Sequence, residues 1–150
     1  MYSWYPQILL LIWLTNFEIR FVHQGTPLIN TYISKAKKSK SEKPTVILNI
    51  SLDNFDLLAI KAGKLHHYNY YQYRTETDLI YYVLNTFKHL DLDVNKTEII
   101  ILGTVEGGTS MHKLLKEFFA NVKFGTCNED FTYNFAEVPE HLFSNILSIV

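Results

Sequence analysis

The chain is predicted to fold as an α/β domain around one mixed sheet with helices on its faces. Three observations in its 150 residues point there. Residues 45–73 read as three strands joined by two tight turns, an antiparallel meander. Residues 75–124 then alternate helix and strand twice, giving the order β-β-β-α-β-α-β. Hydrophobic residues at 47% and aromatic residues at 15% supply the core of one such domain and exclude a disordered chain. A right-handed crossover from the third strand through a helix sets the strand at 98–102 parallel to the first, which leaves the first strand central.

Residues 1–17 carry no charged side chain, and Ile8 to Leu14 is an unbroken apolar run. It stops short of the roughly 20 residues of a spanning helix. It also lacks the basic start and small-residue cleavage site of a signal peptide, so a buried helix after Pro6 is expected. Residues 17–22 read as a short strand. A helix that Thr26 caps and Pro27 begins completes a β-α unit, with Leu28, Ile29, Tyr32 and Ile33 on one stripe. The lysine-rich stretch 35–43 is expected to end that helix as a solvated linker closed by Pro44.

In the first strand Val46, Leu48, Ile50 and Leu52 share one face, and Ile47 on the other points to cover on both sides. Asp53-Asn54 is read as a two-residue turn that tolerates positive φ, and residues 55–61 as the second strand. Ala62-Gly63 is the next turn and residues 64–73 the third strand. Thr75 caps the following helix with Asp78 in its capping box, and Leu79, Ile80, Val83, Leu84, Phe87 and Leu90 form its apolar face. Residues 98–102 are a β-branched strand and 103–108 a loop. Thr109 caps a helix bearing Leu114, Leu115 and Phe118, and residues 121–124 are a further strand. Residues 131–135 and 140–150 read as one more strand and a terminal helix.

Charge and cysteine usage exclude several classes of function. The chain balances 14 basic against 15 acidic residues, but the stretch 35–43 concentrates five lysines with one glutamate and leaves the body acidic. Those lysines have no interleaved aromatics, so no nucleic-acid partner is expected. Cys127 is the lone cysteine, which excludes a disulfide framework and points to a reducing, cytoplasmic compartment. No membrane partner is expected.

Several stretches carry a resemblance. Ile19-Arg-Phe-Val-His-Gln-Gly-Thr-Pro-Leu-Ile29, Gly63-Lys-Leu-His-His-Tyr-Asn69, Thr77-Asp-Leu-Ile-Tyr-Tyr-Val-Leu84, Leu102-Gly103 and Pro139-Glu-His-Leu-Phe143 resemble an uncharacterised bacterial domain-of-unknown-function family. That family has an actin-like ATPase, or ribonuclease H-like, fold, and the element order is similar to it. The resemblance covers nearly the whole chain but only the second lobe of two-lobed members. It implies that residues 45–150 form an actin-like lobe and that residues 1–44 are a remnant of the preceding lobe with its lysine-rich linker. A truncated product is therefore expected.

The resemblance also implies where nucleotide would sit. In actin-like ATPases the first strand of a lobe runs into a glycine-rich hairpin that holds phosphates, and an aspartate near its end organises the metal. Here Asn49 stands where that aspartate would be, followed by Asp53 and no glycine. A phosphate-holding turn needs left-handed backbone values, which cost non-glycine residues roughly 1–2 kcal/mol each. Asp53 and Asp56 would add negative charge beside a polyphosphate. The second place is Gly103-Thr-Val-Glu-Gly-Gly-Thr109, between a strand and a helix N-terminus. Gly103, Gly107, Gly108 and Thr109 are similar to a second phosphate loop, yet Glu106 opposes an anion and no lysine is present. Nuclease chemistry would need carboxylates converging on two metals, and nothing in the pattern brings Asp53, Asp56, Asp91, Asp93 and Glu98 together.

No pair among His23, His66, His67, His89, His112 and His141 has helical ligand spacing, and Cys127 has no histidine beside it in sequence, so neither a metal set nor a nucleophile is read. Tyr68 and Tyr70 share one face of the third strand, Tyr71 and Tyr73 the other. On an edge strand one such row would stay accessible to a partner. The expectation is a non-catalytic, degenerate actin-like lobe without a cofactor, acting through contacts with another protein or with the missing N-terminal lobe. The alternative is an ATPase or kinase-type domain that binds ATP and magnesium through residues 103–109.

Overall fold

In a computed structural model of the chain, the structure describes residues 25–40 and 42–125. The elements are α1 (Gly25–Ser39), β1 (Thr45–Ile50), β2 (Asn54–Lys61), β3 (Lys64–Gln72), α2 (Glu76–His89), β4 (Glu98–Gly103), α3 (Ser110–Phe118) and β5 (Asn121–Phe124). The strands form one sheet in the order β3-β2-β1-β4-β5. β1 and β2, and β2 and β3, pair antiparallel; β4 runs parallel to β1, and β5 parallel to β4. The mixed sheet with a central first strand is as the sequence predicts.

β1 and β4 are apolar on both faces because both are covered. Val46, Leu48 and Ile50 join Phe55, Leu57, Ile99 and Ile101 beneath Leu79, Val83 and Phe87 of α2 and Met111 and Leu115 of α3. On the opposite face Ile47, Leu58, Ile60, Ile100 and Leu102 lie beneath Leu28 and Tyr32 of α1. Among these layers the buried strand positions are polar only at Asn49 and Asp56.

Both predicted helix caps form. Thr109 accepts the His112 N–H, and Thr75 and Asp78 make a complete capping box. Bonds from the Thr75 and Arg74 backbone N–H groups hold the Asp78 carboxyl below the usual carboxylate range. Thr75→Ala removes one half of the box, and a fall of about 3–6 °C in melting temperature, read by circular dichroism, is the expected result.

Three local readings are corrected. Thr26 is not the cap of α1, since Gly25 is already helical, and the helix continues through Lys35 to Ser39 rather than dissolving into a linker. Lys35 lies over the Tyr32 ring at 5.3 Å, Ala36 packs on the core below α1, and lysine and alanine are good helix formers. The first turn is not Asp53-Asn54: Asn54 is already in β2, and residues 51–53 form a three-residue loop without positive φ. Tyr73 decides this, donating its N–H to the Asp53 carbonyl at 3.0 Å and its hydroxyl to the Ser51 carbonyl at 2.6 Å. Asp56, inside the predicted second strand, occupies a buried strand position. The second turn is as predicted, with Ala62 and Gly63 at φ 49° and 69°.

The predicted apolar helix in residues 1–17, the strands at 17–22 and 131–135, the helix at 140–150, and His23, Cys127 and His141 lie outside the described residues. No helix among the described residues is long and apolar enough to cross a membrane.

Candidate functional site

Parallel pairing sets Ile50 beside Gly103, so the loops that follow β1 and β4 leave the sheet side by side. Thr104 fastens them, its N–H and hydroxyl both donating to the Ile50 carbonyl at 2.8 and 3.3 Å. The two nucleotide places implied by the resemblance are therefore neighbours at the carboxyl edge of the sheet. Gly103 adopts φ +88°, and a Cβ there would collide with the Ile50 carbonyl oxygen and lie 2.9 Å from the Ile50 nitrogen. The approach of two strands by itself requires that glycine. Gly108, at φ +86°, faces open space, while a Cβ on Gly107 would meet only Phe124 at 3.7 Å.

The donors of the second loop are partly engaged. Gly108 N–H donates to His112 Nδ1 at 3.1 Å, and the Thr109 hydroxyl donates to the Glu106 carbonyl at 2.9 Å. Burial, then the nearby Lys116 charge, lowers the His112 pKa, which keeps that ring nitrogen an acceptor at neutral pH. The Ser110 hydroxyl donates to the Glu76 carboxyl, bringing the start of α3 against the start of α2. Asp53 and Glu106 are exposed on the same two loops.

Beneath this edge lies a buried polar cluster. Asn49 and Asp56 face each other across the first hairpin, each only 3% exposed. Asn49 Nδ2 donates to Asp56 Oδ2 at 3.0 Å, and the Tyr68 hydroxyl donates to Asp56 Oδ1 at 2.8 Å. Burial, followed by this bond and the negative charge of Asp56, pushes the Tyr68 hydroxyl above the usual phenol range, so it stays a donor. Asn49 Oδ1 has no hydrogen-bond partner. Gly25 at the start of α1 lies so close that a Cβ there would collide with the Tyr68 ring. Sequence reasoning missed Asp56 as the partner of Asn49 and Tyr68 as the second donor to Asp56; the available signal was a polar pair interrupting two otherwise apolar strands.

Outward from the cluster, the loop between β1 and β2 presents Leu52 at 89% exposure. β3 is an edge strand, which meets the condition set for an accessible tyrosine row, and Tyr70 remains exposed there. Tyr71 instead stacks on Phe55 and Tyr82 at 5.2 and 4.7 Å, and Tyr73 meets Phe55 edge-on, so that row belongs to the core. Among the described residues no three His, Cys, Asp or Glu side chains are grouped to hold a metal ion.

Comparison with known proteins places the architecture. A family model described as "Protein of unknown function (DUF3822)" matches residues 10–122. No curated protein matches the chain. A solved structure that does match is a Bacteroides thetaiotaomicron protein with actin-like ATPase fold and unknown function, at 26% identity and a TM-score of 0.65. The match covers 72% of this chain and 41% of that one, so the chain spans about two fifths of its neighbour's length. The described sheet and helices thus have the actin-like ATPase fold.

Proposed function

The chain belongs to the family of proteins of unknown function DUF3822, and on that premise we propose that it is a non-catalytic actin-like lobe working through protein contacts at the carboxyl edge of its sheet. The first hairpin carries this reading. On its inner side Asn49 stands where actin-like ATPases have the metal-organising aspartate, and its amide is committed to Asp56. On its outer side Leu52, 89% exposed, occupies the apex where a phosphate-holding hairpin has glycine. Covering such a leucine is worth about 1.5–3 kcal/mol to a partner. Asp53, Glu76 and Glu106 around the same loops oppose a polyphosphate.

The partner in this reading is the lobe that completes a two-lobed protein, in keeping with a neighbour of which the chain covers 41%. Residues 45–150 are then the lobe and residues 1–44 the remainder of the preceding one. A bacterial, cytoplasmic setting belongs to the same proposal, supported by the Bacteroides neighbour and a single cysteine.

One observation favours a second reading, ATP binding with magnesium at residues 103–109. Gly108 has open space beside it and positive φ just ahead of the α3 N-terminus, a geometry suited to anions. Calorimetric titration of Mg-ATP into the folded chain is expected to give heat of dilution only; saturable heat lost in Gly108→Ala would establish the second reading instead. Mixed with the amino-terminal lobe of a two-lobed family member, the chain is expected to form a one-to-one complex by light scattering. Leu52→Asp should weaken that complex about tenfold or more. Unassociated monomers from the wild-type mixture would refute the contact proposal.

A further inference from the structure

At the opposite end of the sheet, we infer a second docking surface: a lysine face formed by the end of α1 and the β2–β3 turn, which binds a carboxylate-rich segment of a partner protein. Lys37 and Lys38 lie in the last turn of α1, and Lys40 follows with φ +51°. Lys61 and Lys64 flank the turn at Ala62 and Gly63. Tertiary packing joins the two groups. A Cβ on Gly63 would lie 2.9 Å from Lys37 Cγ and 3.7 Å from its Cα, so the bare glycine lets the helix rest on the turn. All five lysines are exposed, and among the described residues no carboxylate pairs with them.

A purely structural role accounts for part of this group. Cations in a last helical turn complement the helix dipole, which covers Lys37 and Lys38. It does not cover Lys61 and Lys64, which sit on strands. Two elements contribute like charges to one surface, a repulsion that a bound anionic segment would relieve.

The chemistry favours carboxylates over a nucleic acid. The face contains no arginine, whose planar fork suits phosphates, and no exposed Phe, Tyr or Trp on which a base could stack. It is also an island. Taking these five from the 14 basic residues leaves nine against 15 acidic ones. A long polyanion reaching past the face would meet a negative body, including exposed Asp91 and Asp93 at the same end of the sheet, whereas a short acidic segment would not. This surface is independent of the contact edge proposed above, and its test does not draw on that reading.

The test is fluorescence anisotropy on the full chain with a labelled peptide of about ten glutamates. Saturable binding is expected, weakening about tenfold between roughly 50 and 300 mM salt as screening shortens. The triple variant Lys37→Glu, Lys40→Glu, Lys64→Glu should lose at least about tenfold in affinity. A matched triple on exposed lysines of α2 and α3, Lys88→Glu, Lys113→Glu, Lys116→Glu, should retain it. Melting curves verify folding, and the neutral pair Lys40→Gln, Lys64→Gln gives the same readout should the triple fail to fold. Equal loss in both triples, or tighter binding of single-stranded or duplex DNA, or of phosphatidylserine vesicles, than of the peptide would overturn the proposal.

Discussion

Gly103→Ala is expected to destabilise the chain by about 2–5 kcal/mol, a large part of the stability of any domain of this size. Two terms add. A left-handed backbone costs a residue with a Cβ roughly 1–2 kcal/mol, and forcing an atom into a packed layer costs about 1–3 kcal/mol more. The collision is with the Ile50 carbonyl, which cannot rotate away because it already accepts both the N–H and the hydroxyl of Thr104. It also falls between β1 and β4, the pair at the centre of the sheet. Gly108→Ala is the matched control, with the same sign of φ at +86° but open space around it, so only the first term applies and about 1–2 kcal/mol is expected. Urea denaturation of both variants measures the difference. Equal losses would show that strand approach is not what Gly103 serves.

How far the sequence could be read depended on the range of the deciding contacts. Strand order followed from local periodicity and one handedness rule. Both helix caps followed from residues three positions apart, Thr75 with Asp78 and Thr109 with His112. The first loop could not be read locally, because its length is set by two bonds from Tyr73, some twenty residues downstream. That longer loop has a large consequence. A two-residue turn at 53–54 would pair Leu52 with Phe55 and Asn49 with Leu58, whereas the observed register pairs Ile50 with Phe55 and sets Asp56 opposite Asn49 inside the sheet. The resemblance singled out Asn49 and Gly103, but it included Tyr68 only as part of a matching stretch and gave it no role, although its hydroxyl completes the cluster from a third strand. Of the lysines, only the stretch 35–43 stood out in the sequence, while Lys61 and Lys64 read as strand ends. The union of the two groups depends on Gly63 admitting α1, a contact between residues more than twenty positions apart.

Asn49→Asp restores the residue type that the actin-like fold uses to organise metal, and it is expected to be among the most damaging changes to this chain. The new carboxyl would stand where Asn49 Nδ2 now lies 3.0 Å from Asp56 Oδ2, both side chains 3% exposed. Two ionised carboxyls at that separation repel by about 5 kcal/mol at an effective dielectric near 20. The folded variant relieves this by taking up a proton, which lets the new carboxyl donate to Asp56 as the amide did. Its folded state therefore binds more protons than its unfolded state, and stability falls as pH rises. Relative to wild type, a loss of about 3–5 kcal/mol is expected near pH 8, shrinking toward pH 5. Asn49→Leu separates the missing donor from the added charge, with a smaller loss of about 1–3 kcal/mol and no matching pH slope. Magnesium then distinguishes a merely crowded site from a dormant one. In a catalytic lobe with one residue altered, millimolar Mg²⁺ would bind the paired carboxyls and raise the melting temperature of Asn49→Asp, and only of that variant. Because Tyr68 and the start of α1 close the cluster on its outer side, no such rise is expected. A magnesium-dependent rise would return the first hairpin to metal chemistry and remove the ground for reading this lobe as non-catalytic.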